Sequence, residues 1–134
     1  MKVFVYGTLK PGEINFERLF HSTEVVSTPA MITGKLYQIP FYTEKYSRGY
    51  PAMTLGEGWV EGYLFEFENA EMLEQLDQLE GYQEGRSPEA NDYQRQCLPI
   101  FTLEKECLTE AWVYVMTQEQ LARAGGFSLN RSSW

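Results

Sequence analysis

Val3-Phe4-Val5-Tyr6-Gly7-Thr8-Leu9-Lys10-Pro11-Gly12 begins with four apolar residues in a row and stops at a glycine. An uninterrupted apolar run of this length, closed by a breaker, reads as a buried first strand. Gly7 ends it, and Pro11-Gly12 marks a second turn. A buried strand needs neighbours on its edges, so the rest of the chain should supply a sheet. Gly7 also leaves the loop open to two readings. Without a side chain there, successive backbone N–H groups can approach a ligand as an anion-binding nest. The other reading is an ordinary strand-to-helix turn. The Gly-x-x-x-x-Gly-Lys-Ser/Thr spacing of a phosphate loop is absent.

The neighbours are visible further along. Residues 13–20 form a short helical stretch with Phe16, Leu19 and Phe20 on one side. Residues 25–39 alternate loosely and are broken by Pro29 and Gly34, which predicts two strands or one bent one. Residues 41–50 are aromatic, charged and turn-rich, and read as a surface loop or a pocket rim. From 59 to 67 the alternation is clear. Trp59, Glu61, Tyr63, Phe65 and Phe67 share one face of a strand, and Val60, Gly62, Leu64 and Glu66 the other. Asn69 is a candidate N-cap for a helix over 70–80, and Gly81 its stop. Residues 83–91 are a polar loop. Residues 93–103 and 107–116 are strands joined by a turn at Glu104-Lys105-Glu106. Thr117 starts a last helix with Gln120 at the capping-box position, Gly125-Gly126 ends it, and a polar tail runs to Trp134. The order predicts one α+β domain over 1–134. Its mixed, mostly antiparallel sheet would curl into a partial barrel with a few flanking helices.

The chain has 134 residues, 43% of them hydrophobic and 15% aromatic, enough for a core without covalent staples. Its formal net charge is −8 and it shows no basic stripe, which argues against nucleic acid and against anionic membrane surfaces as partners. No apolar run approaches a membrane span, and the N-terminus does not resemble a signal peptide, so a cytoplasmic location is expected. Cys97 and Cys107 read as two buried, reduced thiols. His21, the single histidine, has no metal-ligand neighbourhood, so neither a metal nor another cofactor is indicated.

Glu80 is the residue in an unexpected place. At about 100° per residue, Met72, Leu73, Leu76 and Leu79 make one apolar stripe on the 70–80 helix. Glu71, Glu74, Gln75 and Gln78 lie off it, whereas Glu80 falls between the directions of Leu73 and Leu76. Glu80 also sits at the negative end of the helix dipole. Burial and dipole both raise a carboxyl pKa, and a carboxyl near neutrality can act as general acid and base. A frayed helix end with Glu80 turned to solvent is the alternative, and the wheel alone does not decide between them.

Together these segments resemble the γ-glutamylcyclotransferase-like superfamily, which includes the AIG2-like proteins. The resemblance is carried by Phe4-Val5-Tyr6-Gly7-Thr8-Leu9-Lys10-Pro11-Gly12 with Asn15, by Leu76-Asp77-Gln78-Leu79-Glu80-Gly81-Tyr82, by Tyr93-Gln94-Arg95, by Ala111-Trp112-Val113-Tyr114 and by the closing Trp134. It implies an enzyme that cyclises a γ-glutamyl group, releasing 5-oxoproline and an amine without metal or covalent intermediate. It implies Glu80 as the acid/base and Tyr6, Gly7, Thr8 and Leu9 as the substrate-holding loop, with Tyr93 and Tyr114 leaning into the pocket. Strand packing is the other reading for both tyrosines. Arg95 and Arg86 are expected in surface pairs and Tyr82 against the helix end. The polar 83–91 loop resembles the small AIG2-like branch. The expected partner is a small γ-glutamyl compound; the oligomeric state is not legible. A binding or regulatory module that keeps the pocket without turnover is the competing expectation.

Overall fold

A computed structural model describes residues 1–21, 24–40 and 49–134. Among the described residues six strands and three helices follow one another as β1 (Lys2–Val5), α1 (Ile14–Phe20), β2 (Val26–Ile39), β3 (Tyr50–Glu66), α2 (Glu71–Leu79), β4 (Gln94–Phe101), β5 (Cys107–Val115), α3 (Gln118–Ala124) and β6 (Phe127–Ser128). A short 3-10 turn over Pro88–Ala90 lies between α2 and β4. Neighbouring strands run in the order β3-β1-β5-β4-β2-β6, and β2 also pairs with β3. That extra pairing closes five strands into a barrel, one step beyond the partial barrel expected, and leaves β6 on its flank. Among the described strands only β1 and β5 are parallel, meeting at Val3 and Trp112; the other pairs are antiparallel.

Closure depends on how β2 and β3 bend. Their register runs from Val26 opposite Glu66 to Ile39 opposite Tyr50, but it jumps between Thr33 and Lys35. Thr33 faces Trp59 and Lys35 faces Thr54, so Gly34 stands across from the exposed stretch Leu55-Gly56-Glu57-Gly58. Bulges of this kind kink a ladder and increase its twist, which is how a long hairpin turns a barrel corner. The 25–39 segment is therefore one bent strand. The first half of β3 was not anticipated. Tyr50-Pro51-Ala52-Met53-Thr54 shows no alternation because both of its faces are covered, and the glycines after it resemble a loop.

The strands carry two cores. Phe4, Tyr6, Ile32, Leu36, Met53, Val60, Leu64, Ile100, Val113 and Val115 come from all five barrel strands and fill one cluster. Val3, Val5, Ile39, Phe65 and Phe67 fill the other, with Phe20 from α1, Met72 and Leu76 from α2 and Leu121 from α3. Side chains alternate across a strand, so β1 and the second half of β3 feed both clusters at once. The two faces read for residues 59–67 are accordingly both apolar. Phe16 and Phe20 of α1 stack edge-on against Phe65, with centroids 5.5 and 5.4 Å away.

The predicted caps are present with one adjustment. The Asn69 side chain accepts from the Glu71 N–H at 3.0 Å, while Ala70 holds the N-cap position of α2. Thr117 and Gln120 form a reciprocal capping box, and Gly125 ends α3 with φ +73°. The 102–106 turn closes with Thr102 N–H donating to Glu106 O at 2.8 Å. The buried-thiol expectation is corrected: Cys97 and Cys107 are both exposed. Each sits on the outward side of the β4–β5 pair, Cys97 opposite Trp112 and Cys107 opposite Phe101, so the hairpin does not set them side by side. No described helix is long and apolar enough to cross a membrane.

Phe65 is fully buried where α1 meets the barrel. Phe65→Ala should lower unfolding free energy by about 3–5 kcal/mol, the usual cost of emptying an aromatic core site. Urea denaturation checks this; a loss below ~1 kcal/mol would mean that α1 does not rest on Phe65.

Candidate active site

The loop after β1, the end of α2, Tyr93 just before β4 and Tyr114 of β5 converge on one cavity of about 210 Å³. Its walls include Tyr6, Gly7, Thr8, Leu9, Asn15, Tyr50, Pro51, Glu80, Asp92, Tyr93 and Tyr114. Every residue expected at the site from the sequence therefore lines the same space. Arg86 and Arg95 are not in its lining. Of the aromatic 41–50 segment, Tyr50 reaches the cavity; residues 41–48, expected as a loop or rim, lie outside the described residues.

The loop is shaped by short local bonds. Lys10 N–H donates to Gly7 O and Asn15 N–H to Thr8 O, both at 2.9 Å, and the buried Asn15 side chain donates to Thr8 Oγ1 at 2.8 Å. These bonds curl the chain back on itself directly after the strand. Gly7 faces the ring of Pro51, where a Cβ would come within 2.3 Å of Pro51 Cγ. The absent side chain is what allows β1 and the start of β3 to form adjoining walls.

Glu80 is placed by the way α2 ends. Tyr82 N–H donates to Asp77 O at 2.9 Å and Gly81 N–H to Gln78 O at 3.3 Å, with Gly81 left-handed at φ +64°. This is a Schellman end, and it leaves Glu80 as the C-cap residue at φ −87°, ψ 0°. A side chain on Gly81 would meet the Asp92 carboxylate at 2.3 Å, and Asp92 N–H in turn donates to Gly81 O at 2.8 Å. The helix end and the start of β4 are thus locked together. Glu80 lines the cavity and is not turned away to solvent as a frayed end would be.

A buried network holds that helix end to the barrel. Arg95 Nη1 donates to Asp77 Oδ2 at 2.6 Å, and the Tyr114 hydroxyl donates to Asp77 Oδ1 at 2.7 Å. The Arg95 guanidinium lies between the rings of Trp112 and Tyr82, 4.5 and 5.2 Å from their centroids. Its side chain is only 8% exposed, so the expected surface pair is corrected to an inward, aromatic-flanked one. Arg was chosen by its flanks: a planar cation stacks on rings and reaches a carboxylate at once. Tyr82 does pack on the helix end, as expected. Arg86 instead braces the polar loop, donating to Asn91 Oδ1 at 2.6 Å. Buried Asn91 also accepts from Gln120 and Arg123 through its carbonyl, tying the loop before Asp92 to α3.

The electrostatics follow from enclosure. Burial, and next the negative charge of Asp92, push the Glu80 carboxyl from 4.5 to about 7. The helix C-terminus acts in the same direction. Tyr6, Tyr93 and Tyr114 are all pushed above the usual phenol value, by burial first, and the charge of Glu80 acts on each of them. Four tyrosines, Tyr6, Tyr50, Tyr93 and Tyr114, and two carboxyls therefore share one small cavity. Asp92, Asp77, Tyr50 and Pro51 were not singled out from the sequence. Asp77 precedes Glu80 by one helical turn and so was open to detection from spacing; Asp92 meets Glu80 only through the tertiary fold.

A protein-family model described as "Gamma-glutamyl cyclotransferase, AIG2-like" matches residues 3–134. The chain belongs to this family. An AIG2-like protein (GGACT) from Mus musculus has a similar structure, with 22% identity and a TM-score of 0.67 over 99% of this chain and 86% of that one. A protein from Arabidopsis thaliana is similar at 23% identity and a TM-score of 0.61, covering 88% of this chain and 69% of that one. Allophanate hydrolase of Kluyveromyces lactis shares the fold at 9% identity and a TM-score of 0.67; 99% of this chain covers 20% of that longer one. No curated protein sequence gives a significant match. At these identities the structural likenesses establish the fold, and membership rests on the family match. Membership supports cyclotransferase-type chemistry in broad terms.

The raised Glu80 pKa has a stability consequence. The folded state holds the proton more tightly than the unfolded one, so this group's contribution is most favourable below pH 4.5 and is lost as pH rises through about 7. Glu80→Gln should therefore raise unfolding free energy at pH 8 by on the order of 2–3 kcal/mol and leave it nearly unchanged at pH 4. Denaturant midpoints at the two pH values check this; equal effects at both would remove the claim of an enclosed carboxyl.

Proposed function

We propose that this protein is a γ-glutamyl cyclotransferase-type enzyme acting on a γ-glutamyl-amine or γ-glutamyl-amino-acid, with Glu80 as its general acid/base. The observation that carries the reading is a carboxyl held near pKa 7 in the cavity that the Tyr6–Leu9 loop lines. Family membership sets the reaction class.

The reaction balances without a co-reactant. Ionised Glu80 takes a proton from the substrate α-ammonium. The freed amine attacks the γ-carbonyl carbon, forming the ring N–C bond and a tetrahedral oxyanion. Protonated Glu80 then donates to the leaving nitrogen, the old amide C–N bond breaks, and the oxyanion collapses to the carbonyl of 5-oxoproline. The remaining ring-nitrogen proton departs through Glu80 to the released amine, which leaves as its ammonium. One group of intermediate pKa serves every transfer, which is the condition a shared acid/base needs.

The loop's role is to hold and polarise. Backbone N–H groups of Gly7, Thr8 and Leu9 are suited to the substrate carboxylate or to the γ-oxygen as charge develops there. Local donors are needed because a chain of net charge −8 does not attract an anion at long range. At about 210 Å³ the cavity is below the roughly 300–1,000 Å³ that encloses drug-sized ligands. It suits the glutamyl moiety alone, with the leaving amine directed to the mouth. Ring closure is intramolecular, so a small cavity that folds the substrate toward its near-attack shape contributes to rate. The reading includes a cytoplasmic location, where the two exposed cysteines stay reduced.

A binding module without turnover remains the second reading, since members of this fold occur inside longer chains. A raised-pKa acid beside an anionic ligand gives a pure binder nothing, and this favours the enzyme.

Incubation with a panel of γ-glutamyl amines and γ-glutamyl amino acids should release 5-oxoproline, measured by chromatography. kcat/KM should rise through pH ~7 as Glu80 ionises, and Glu80→Gln should lower it by about 10²–10⁴-fold. Undiminished turnover by Glu80→Gln rules out the mechanism. Small acids that raise Tm while no γ-glutamyl compound is consumed favour the binding module.

A further inference from the structure

Three of the cavity's four phenols, Tyr6, Tyr93 and Tyr114, are not free to choose their hydrogen-bonding roles. Tyr93 OH donates to Pro51 O at 2.7 Å, and a carbonyl oxygen can only accept. Tyr114 OH donates to Asp77 Oδ1 at 2.7 Å, and that carboxylate is already engaged by the Arg95 guanidinium through its other oxygen. Tyr6 OH donates to Tyr114 O at 2.7 Å and also lies against the backbone of Met53. A phenol has one proton and two lone-pair positions. Once the proton is committed inward, a phenol can offer the cavity only an acceptor. Tyr6 is occupied on both counts. Tyr93 and Tyr114 each keep acceptor capacity, and both stand within the field of Glu80.

We infer that Tyr93 and Tyr114 recognise the substrate's α-amino group as hydrogen-bond acceptors and take no part in proton transfer. This rests on the γ-glutamyl reading of the site. An α-ammonium has three N–H donors in a tetrahedral array. Glu80, Tyr93 and Tyr114 bring oxygen acceptors to the cavity, and the Tyr6–Leu9 backbone lines the same space. A glutamyl head group carries a cation and an anion on the same carbon, and a cavity offering acceptors together with backbone N–H groups can read both. After the proton has gone to Glu80, the neutral amine still has two N–H groups to donate. The two phenol oxygens can keep it aimed while its lone pair attacks.

The commitment is structural, and Asp77 enforces it for Tyr114. Its carboxylate accepts from Arg95, whose guanidinium lies between two aromatic rings, through one oxygen and from Tyr114 through the other. For Tyr93 the enforcing group is a backbone carbonyl of β3. Asp77 and Pro51 are therefore positioning residues for two substrate-reading oxygens.

The test is calorimetric binding to the full chain carrying Glu80→Gln, which keeps the ligand intact and removes the carboxylate's own attraction for a cation. The probes are γ-glutamylmethylamide and its des-amino counterpart, glutaric acid monomethylamide. The amino compound should bind about tenfold more tightly. Adding Tyr93→Phe or Tyr114→Phe should each reduce that ratio about threefold, with the affinity for the des-amino compound changed less than about twofold. A merely structural phenol would weaken both ligands alike, and that result overturns the inference. So does an absence of discrimination in the Glu80→Gln chain, which needs neither tyrosine variant to fold. Discrimination that the phenylalanine variants lose, in a protein that releases no 5-oxoproline from any γ-glutamyl compound, upholds the inference while removing the proposed turnover.

Discussion

The structure turns on one carboxyl held at the end of a helix where an acid is disfavoured. Water would normally relieve such a group by letting the last turn fray. Here fraying is blocked from three sides. The Schellman bonds through Gly81 and Tyr82 fix the backbone, Asp92 packs on Gly81, and the Asp77–Arg95 pair ties the same helical turn to the barrel wall. Each contact is modest alone, since a hydrogen bond contributes about 1 kcal/mol net. Together they outweigh the cost of keeping Glu80 enclosed near a second acid. The result is a carboxyl pushed up to about 7 in the cavity that the Tyr6–Leu9 loop also lines.

The barrel makes this affordable. Because β1 and the second half of β3 bury both faces, the wall beneath the cavity is packed from inside and from outside. Close packing on both faces resists displacement, and electrostatic assistance depends on dipoles that are already in place. The tyrosines illustrate the same economy. Each spends its proton on bracing a distant part of the chain: Tyr93 reaches Pro51, Tyr6 reaches the Tyr114 backbone, and Tyr114 reaches Asp77. For Tyr93 and Tyr114 this leaves the acceptor side of the same oxygen atom uncommitted.

Much of this was readable beforehand, and the exceptions have physical reasons. The apolar run Val3–Tyr6, the alternation over 59–67 and the Thr117–Gln120 capping box are local patterns, and each became the element it predicted. The wheel placed Glu80 on the apolar stripe because periodicity survives into the last turn. What failed depended on partners remote in sequence. Residues 50–54 carry no strand alternation because both faces are covered. Arg95 looked like a surface charge because nothing near it in sequence announces Trp112, Tyr82 and Asp77 around it. Cys97 and Cys107 looked buried because cysteine usually is, yet their register positions face outward. Asp92 is the instructive case: it comes beside Glu80 only through the tertiary fold, where its N–H donates to Gly81 O and its side chain packs on Gly81.

The most direct measurement is the titration of Glu80 itself. Side-chain carboxyl carbons can be followed by 13C NMR across pH 3 to 9, with Glu80 assigned by its disappearance in Glu80→Gln. The account predicts a midpoint near 7, about 2.5 units above 4.5, the ordinary value. A midpoint below 5 would mean that water reaches the carboxyl freely, and the claim that the fold holds an enclosed acid/base at the end of α2 would be contradicted.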